Sequence, residues 1–157
     1  MISKEHTDKF KLANYFILNG KGITLKKLQK LLYYSYAWDL VINNDKPINL
    51  VPLFNQNFIL TFNGTIDLDI EERYEQYSYS LLPKPTKANI TCPHCIDILE
   101  QVIYAYGDFN GNQLANLNRS ELICTKDIKR VLLEPTKELL PTDKELYQIY
   151  YQQLDTE

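Results

Sequence analysis

Cys92-Pro93-His94-Cys95 is the densest group of reactive side chains in the 157-residue chain. A Cys-x-x-Cys pair that opens a helix favours thiolate on its first sulfur, because the free amides and the dipole of a helix start attract negative charge. Thiol redox chemistry is one use of such a pair. Zinc binding is another, since these three side chains and Cys124 supply four nitrogen or sulfur donors, the number a structural zinc takes. Two features count against zinc: His94 lies between the cysteines, where binding by all three should be strained, and Cys124 stands alone. The plainer reading is a helix-opening turn with two small, partly buried thiols and an incidental Cys124. No metal and no cofactor is expected.

Other catalytic arrangements find less support. His6 and His94 are the only histidines, and His6 lies near the start of the chain, where fraying is expected. No Gly-x-Ser-x-Gly, His-Glu-x-x-His or phosphate-loop spacing occurs. The carboxylates Asp67, Asp69, Glu71, Glu72 and Glu75 suit the acidic start of a helix without any catalytic role. Tyr33, Tyr34, Tyr36 and Trp38, beside Lys26, Lys27 and Lys30, could stack single-stranded bases, but a helical aromatic run is more simply core. A net charge of −3 disfavours sequence-independent DNA binding. The chain is not expected to be an enzyme.

These residues need helices to position them. Thr7 or Asp8 can cap a first helix carrying Phe10, Ala13, Phe16 and Ile17, with Asn19-Gly20 as a left-handed end. Thr24 caps the strongest helix, Leu25 to about Ile42, where Leu25, Leu28, Leu32, Tyr36 and Val41 recur at helical spacing. Lys26, Lys27 and Lys30 then fall on its other side, which reads as a solvated face or, more sharply, as a contact patch for an acidic partner. Phe58–Phe62 is too short to classify, and Asn63-Gly64 punctuates it. Thr65 or Asp67 caps an acidic helix to about Ser80, and Pro93 opens a helix that Gly107 ends. Short helices from Gly111 or Asn112 to Leu117 and from Thr125 to before Pro135 follow. Thr142-Asp143-Lys144-Glu145 is a capping box for a last one.

The fold class is therefore mainly α, a single bundle of six or seven helices over residues 1–157, with room for one short extended segment. Twelve Tyr and six Phe foretell an aromatic core. About two-thirds of the unfolded surface of a chain this long can be buried without disulfides or metal. Five Gly are too few for a turn-dense sandwich, and three Cys too few for a secreted disulfide scaffold. No signal peptide or membrane span is expected, which points to a cytoplasmic protein.

Two resemblances can be placed on particular residues. Cys-Pro-His-Cys resembles the active-site tetrapeptide of bacterial periplasmic disulfide oxidases, but over four residues only. A thioredoxin fold would set that motif after a strand near the start of the domain, not behind ninety largely helical residues. The second resemblance is longer. Leu28-Gln29-Lys30-Leu31-Leu32-Tyr33-Tyr34 resembles the signature of the Panacea domain, the SocA-like antitoxin family. Pro52-Leu53-Phe54 with Asn63-Gly64-Thr65-Ile66-Asp67 is similar to its Pro-Leu-Phe stretch and Gly-Pro-Val turn. Val102–Gly107 with Leu114 and Leu117 is similar to its later Tyr-Gly helix end and Leu pair, and Leu117–Glu121 falls where it reads Leu-Thr-His-x-Glu. Order and spacing agree from about residue 10 to 121. Thr65 stands in place of the turn Pro, Asn118-Arg119 in place of Thr-His, and Ile123-Cys124 where Pro-Trp is common.

The resemblance implies a helical domain, without catalytic residues or cofactor, that binds proteins: a bacterial or phage-encoded antitoxin that neutralises a toxin, or an adaptor that presents it for degradation. A phage-derived inhibitor of a host protein and a zinc or thiol protein built on Cys92 and Cys95 are the alternatives. The expected contact residues for the protein partner are Lys26, Lys30, Tyr33, Asn63 and Arg119. For Tyr33 and Asn63, core packing and turn formation are the competing roles. Lysines 21, 26, 27 and 30 oppose the acids of 67–75 in the sequence, a segregation that suits steering of a partner or pairing within the chain.

Overall fold

A computed structural model describes residues 7–123 and 140–154. Its elements are α1 (Lys9–Asn19), α2 (Leu25–Ile42), β1 (Phe58–Thr61), β2 (Gly64–Asp67), α3 (Leu68–Tyr74) with one 3-10 turn (Glu75–Tyr77), α4 (Pro93–Tyr106), α5 (Gly111–Ile123) and α6 (Asp143–Leu154). The fold is mainly α, with one antiparallel hairpin. No helix among the described residues is long and apolar enough to cross a membrane.

Helix starts follow local chemistry. Asp8 accepts from the Phe10 amide at 2.9 Å and Thr24 from the Lys27 amide at 3.3 Å. Asp67 accepts from Asp69 and Ile70, and Thr142 and Glu145 exchange the two bonds of a capping box. Pro93 occupies the first turn of α4. Helix ends fit expectation less well. Gly20 and Gly107 close their helices without a left-handed residue, with φ of −85° and −64°. The acidic helix stops at Tyr74 rather than near Ser80, and α5 continues past Leu117 to Ile123. The helix expected from Thr125 lies outside the described residues.

α2 is the axis of the molecule. Fifteen of its eighteen residues are buried, and α1, α3, α4, α5, α6 and β2 all pack against it. A helix covered on every side belongs to the core rather than to the rim of a bundle. The expected solvated basic face of α2 is therefore not found: Lys27 and Lys30 are both buried. Around α2 the core is aromatic. Tyr34 stacks on Tyr106 with ring centres 4.1 Å apart, while Tyr33, Tyr36, Phe54 and Phe58 meet edge to face. The Tyr33 and Tyr150 hydroxyls are 2.9 Å apart, and both Tyr34 and Tyr150 donate to Glu121. These bonds join α2, α5 and α6.

The run too short to classify is the first strand of the hairpin, paired Phe58 to Asp67 through Thr61 to Gly64, with Phe62-Asn63 as its loop. Gly64 has φ +92°, and a Cβ there would stand 2.5 Å from Asn118 Oδ1. Gly64→Ala therefore meets both a disfavoured backbone region and a clash. It should lower the unfolding free energy by about 2 kcal/mol or more, read by urea denaturation.

Candidate functional site

An antiparallel pair leaves every second residue of each strand with its amide and carbonyl facing outward. On β2 those residues are Thr65 and Asp67, and helix side chains satisfy them where a third strand would. Gln29 brackets Asp67, accepting from its amide at 2.8 Å and donating to its carbonyl at 2.9 Å. Lys30 Nζ donates to the Thr65 carbonyl at 2.7 Å, and Asn118 Oδ1 accepts from the Thr65 amide at 2.7 Å. The Asp67 carboxylate turns the other way, to Lys9 at 3.0 Å. Lys9 also bonds Asp69. The hairpin is thus fixed to α1, α2 and α5 by a buried polar seam.

Charge in the seam is costly and locally compensated. Burial pulls the Lys30 ammonium down to about 7, with Lys26 adding repulsion and Glu71 partly opposing both. Lys27 caps carbonyls of Lys21 and Gly107 at 2.7 and 2.6 Å, and burial lowers its pKa too. The two opposed charge blocks of the sequence are thus partly used inside the fold: Lys27 and Lys30 serve carbonyls, and the acids at 67 and 69 are met by Lys9.

The five expected contact residues separate accordingly. Lys30 and Tyr33 are each 1% exposed, so neither can touch a partner. Lys30 holds the hairpin edge, and Tyr33 sits in the aromatic core, where burial raises its pKa. Lys26, half-exposed, donates to Asn112 Oδ1 at 2.7 Å at the start of α5. Asn63 is exposed on the hairpin loop. Arg119 is half-exposed, with its guanidinium 4.5 Å from the centre of the Phe62 ring. Phe62 and Leu117 remain 43% and 38% exposed. Asn63 and Arg119 therefore share one surface, joined by Phe62. Asn112 lies two turns, about 10 Å, before Arg119 on the same face of α5, which puts Lys26 beside that surface. Phe62 lacked any signal of its own: an apolar residue ending a short run reads as core.

The cysteine motif lies elsewhere, at the start of α4. Cys92 is the N-cap residue, half-buried and without a side-chain capping bond; His94 is exposed and Cys95 buried. Cys92 Sγ is 3.0 Å from His94 Nδ1 and 3.5 Å from Nε2, while Cys95 Sγ is 3.8 Å from Nε2. The ligand atoms of all three lie within 4.8 Å of one another. Binding by all three was expected to be strained by the place of His94 between the cysteines; the first turn of the helix nevertheless brings the imidazole over the thiols. Cys95 also meets Thr7 Oγ1 at 3.2 Å, and burial pushes its pKa up to about 11. Cys124 lies outside the described residues.

No protein-family model, curated protein or solved structure matches the chain.

Two outcomes test the seam. Thr65→Pro and Asn118→Thr each strand one buried partner of the same bond, at about 1–3 kcal/mol apiece. The double variant removes both partners and should cost less than the sum by about 1 kcal/mol. Lys30 is protonated less readily folded than unfolded. The stability of wild type relative to Lys30→Met should therefore climb as pH rises from about 7 towards about 10, and be flat below, in urea melts.

Proposed function

We propose that the chain is a non-enzymatic protein-binding module that neutralises a partner protein by direct contact, in the manner of the antitoxins and adaptors its sequence resembles. One observation carries the reading. Three segments of that resemblance meet through side chains: Gln29 and Lys30 bond Thr65 and Asp67, and Asn118 bonds Thr65, in the polar seam, while Tyr34 bonds Glu121 on the other flank of α2. At the solvent end of the seam stand Phe62, Asn63 and Arg119, an exposed aromatic ring with an amide and a cation. An exposed aromatic ring beside an arginine is the composition of an interface anchor. Lys26 and Arg119 give the surface a positive rim, which would steer an acidic face of the partner. Lys30 and Tyr33 act beneath it as positioning residues.

The reading is tested by affinity capture from cells that naturally carry the chain, with wild type, Phe62→Ala and Arg119→Glu in parallel. Wild type should retain one protein in stoichiometric amount. Either variant should lose it by about ten-fold or more, with the melting temperature within about 2 °C of wild type. Equal retention by the variants would remove this surface; absence of any stoichiometric protein would remove the binding reading itself.

A further inference from the structure

We propose that Cys92, His94 and Cys95 form a zinc(II) site, with two thiolates and the His94 Nε2 nitrogen as ligands and the fourth position open to solvent. The donors have the right chemistry: a borderline-soft divalent ion takes thiolate and imidazole together, and three protein ligands leave one position for water. The spacing fits as well. With Zn–S about 2.3 Å and Zn–N about 2.0–2.1 Å, the sulfur-to-nitrogen edge of a tetrahedron is about 3.6 Å. Nε2 stands 3.5 Å from Cys92 Sγ and 3.8 Å from Cys95 Sγ, and the three donor atoms fall within one sphere of 4.8 Å contacts. Nδ1 now stands nearer to Cys92 Sγ, at 3.0 Å, so the exposed His94 ring must turn about its own χ angles to aim the Nε2 lone pair at an ion between the two sulfurs.

The surroundings support the same assignment. Cys95 is locked from below, in the core and against Thr7 at the mouth of α1. Pro93 restricts the backbone between the ligands. The exposed imidazole and half-buried Cys92 leave the ion an entry path from solvent. Binding releases one proton from each thiol to solvent, and the two thiolate charges balance the ion. Because Thr7 also donates its amide to the Leu53 carbonyl at 2.8 Å, the ion would fasten the start of α4 to the start of α1 and to the loop before the hairpin.

The test starts from the reduced, chelator-stripped chain, titrated with zinc or cobalt(II) without oxygen. Native mass spectrometry should find one zinc per chain, and zinc should raise the melting temperature in a concentration-dependent way. The cobalt form should carry a thiolate charge-transfer band and the intense visible absorption of tetrahedral cobalt. Cys95 is packed in the core, so Cys92→Ser and His94→Ala carry the mutational arm. Each should weaken zinc by about ten-fold or more while circular dichroism stays unchanged. The proposal falls if zinc is not retained, if cobalt is octahedral, if Cys92→Ser binds as tightly as wild type, or if a Cys92–Cys95 disulfide forms in glutathione buffer despite added zinc.

Discussion

The open edge of a two-stranded hairpin is the constraint around which this molecule is arranged. Two strands alone are marginal in water, and their outward amides and carbonyls cannot be buried without partners. Here the partners are side chains: Gln29 for Asp67, Lys30 and Asn118 for Thr65. The consequences run outward from that pairing. α2 must carry polar groups on a surface that is nevertheless covered, so it is a buried helix with Lys30 enclosed in its second turn. The hairpin must approach α5 closely, so Gly64 has no room for a side chain. Seam polarity is not perfectly spent, since Thr65 Oγ1 and Asn118 Nδ2 are buried without a hydrogen-bond partner among the described residues. Such a seam contributes register and orientation more than free energy.

On the opposite flank of α2, tyrosines do for the helices what the seam does for the hairpin. A phenol fills space like phenylalanine and still needs a partner when buried. Tyr34, Tyr150 and Gln153 share the Glu121 carboxylate, Tyr36 reaches Asp143 at 2.8 Å, and Trp38 donates to the Tyr106 hydroxyl at 2.7 Å. Burial raises the pKa of each of these tyrosines, Tyr106 to about 12, so the phenols stay protonated and remain donors at neutral pH. The tyrosine excess of the sequence is a way of joining α2, α5 and α6 through directional bonds.

What the sequence made legible was local. Asp8, Thr24, Asp67, Pro93 and the 142–145 capping box act within one helical turn, so the starts of five helices could be read directly. The hairpin could not be read, because what stabilises Phe58–Asp67 is contributed from residues 29, 30 and 118. Lysines 27 and 30 were misread for the same reason: charge at a helix position looks solvated until the carbonyls it serves are known. Tyr33 and Asn63 went opposite ways, one into the core and one to the loop. Of the expected contact residues, Lys26, Asn63 and Arg119 share a surface, and its apolar member Phe62 emerges only from exposure.

Two residues far apart in the sequence, Thr65 on β2 and Asn118 on α5, meet in one bond. A Pro at 65 would offer no amide, whereas Thr65 does, and that amide would be buried and unpaired without an acceptor. Asn118 Oδ1 supplies the acceptor at 2.7 Å. Thr65 and Asn118 therefore act as one unit: the amide that Thr65 brings to the buried edge of β2 is matched by an oxygen from α5. Thr65 follows the hairpin loop by two residues, so this bond ties the position of Phe62 and Asn63 to α5.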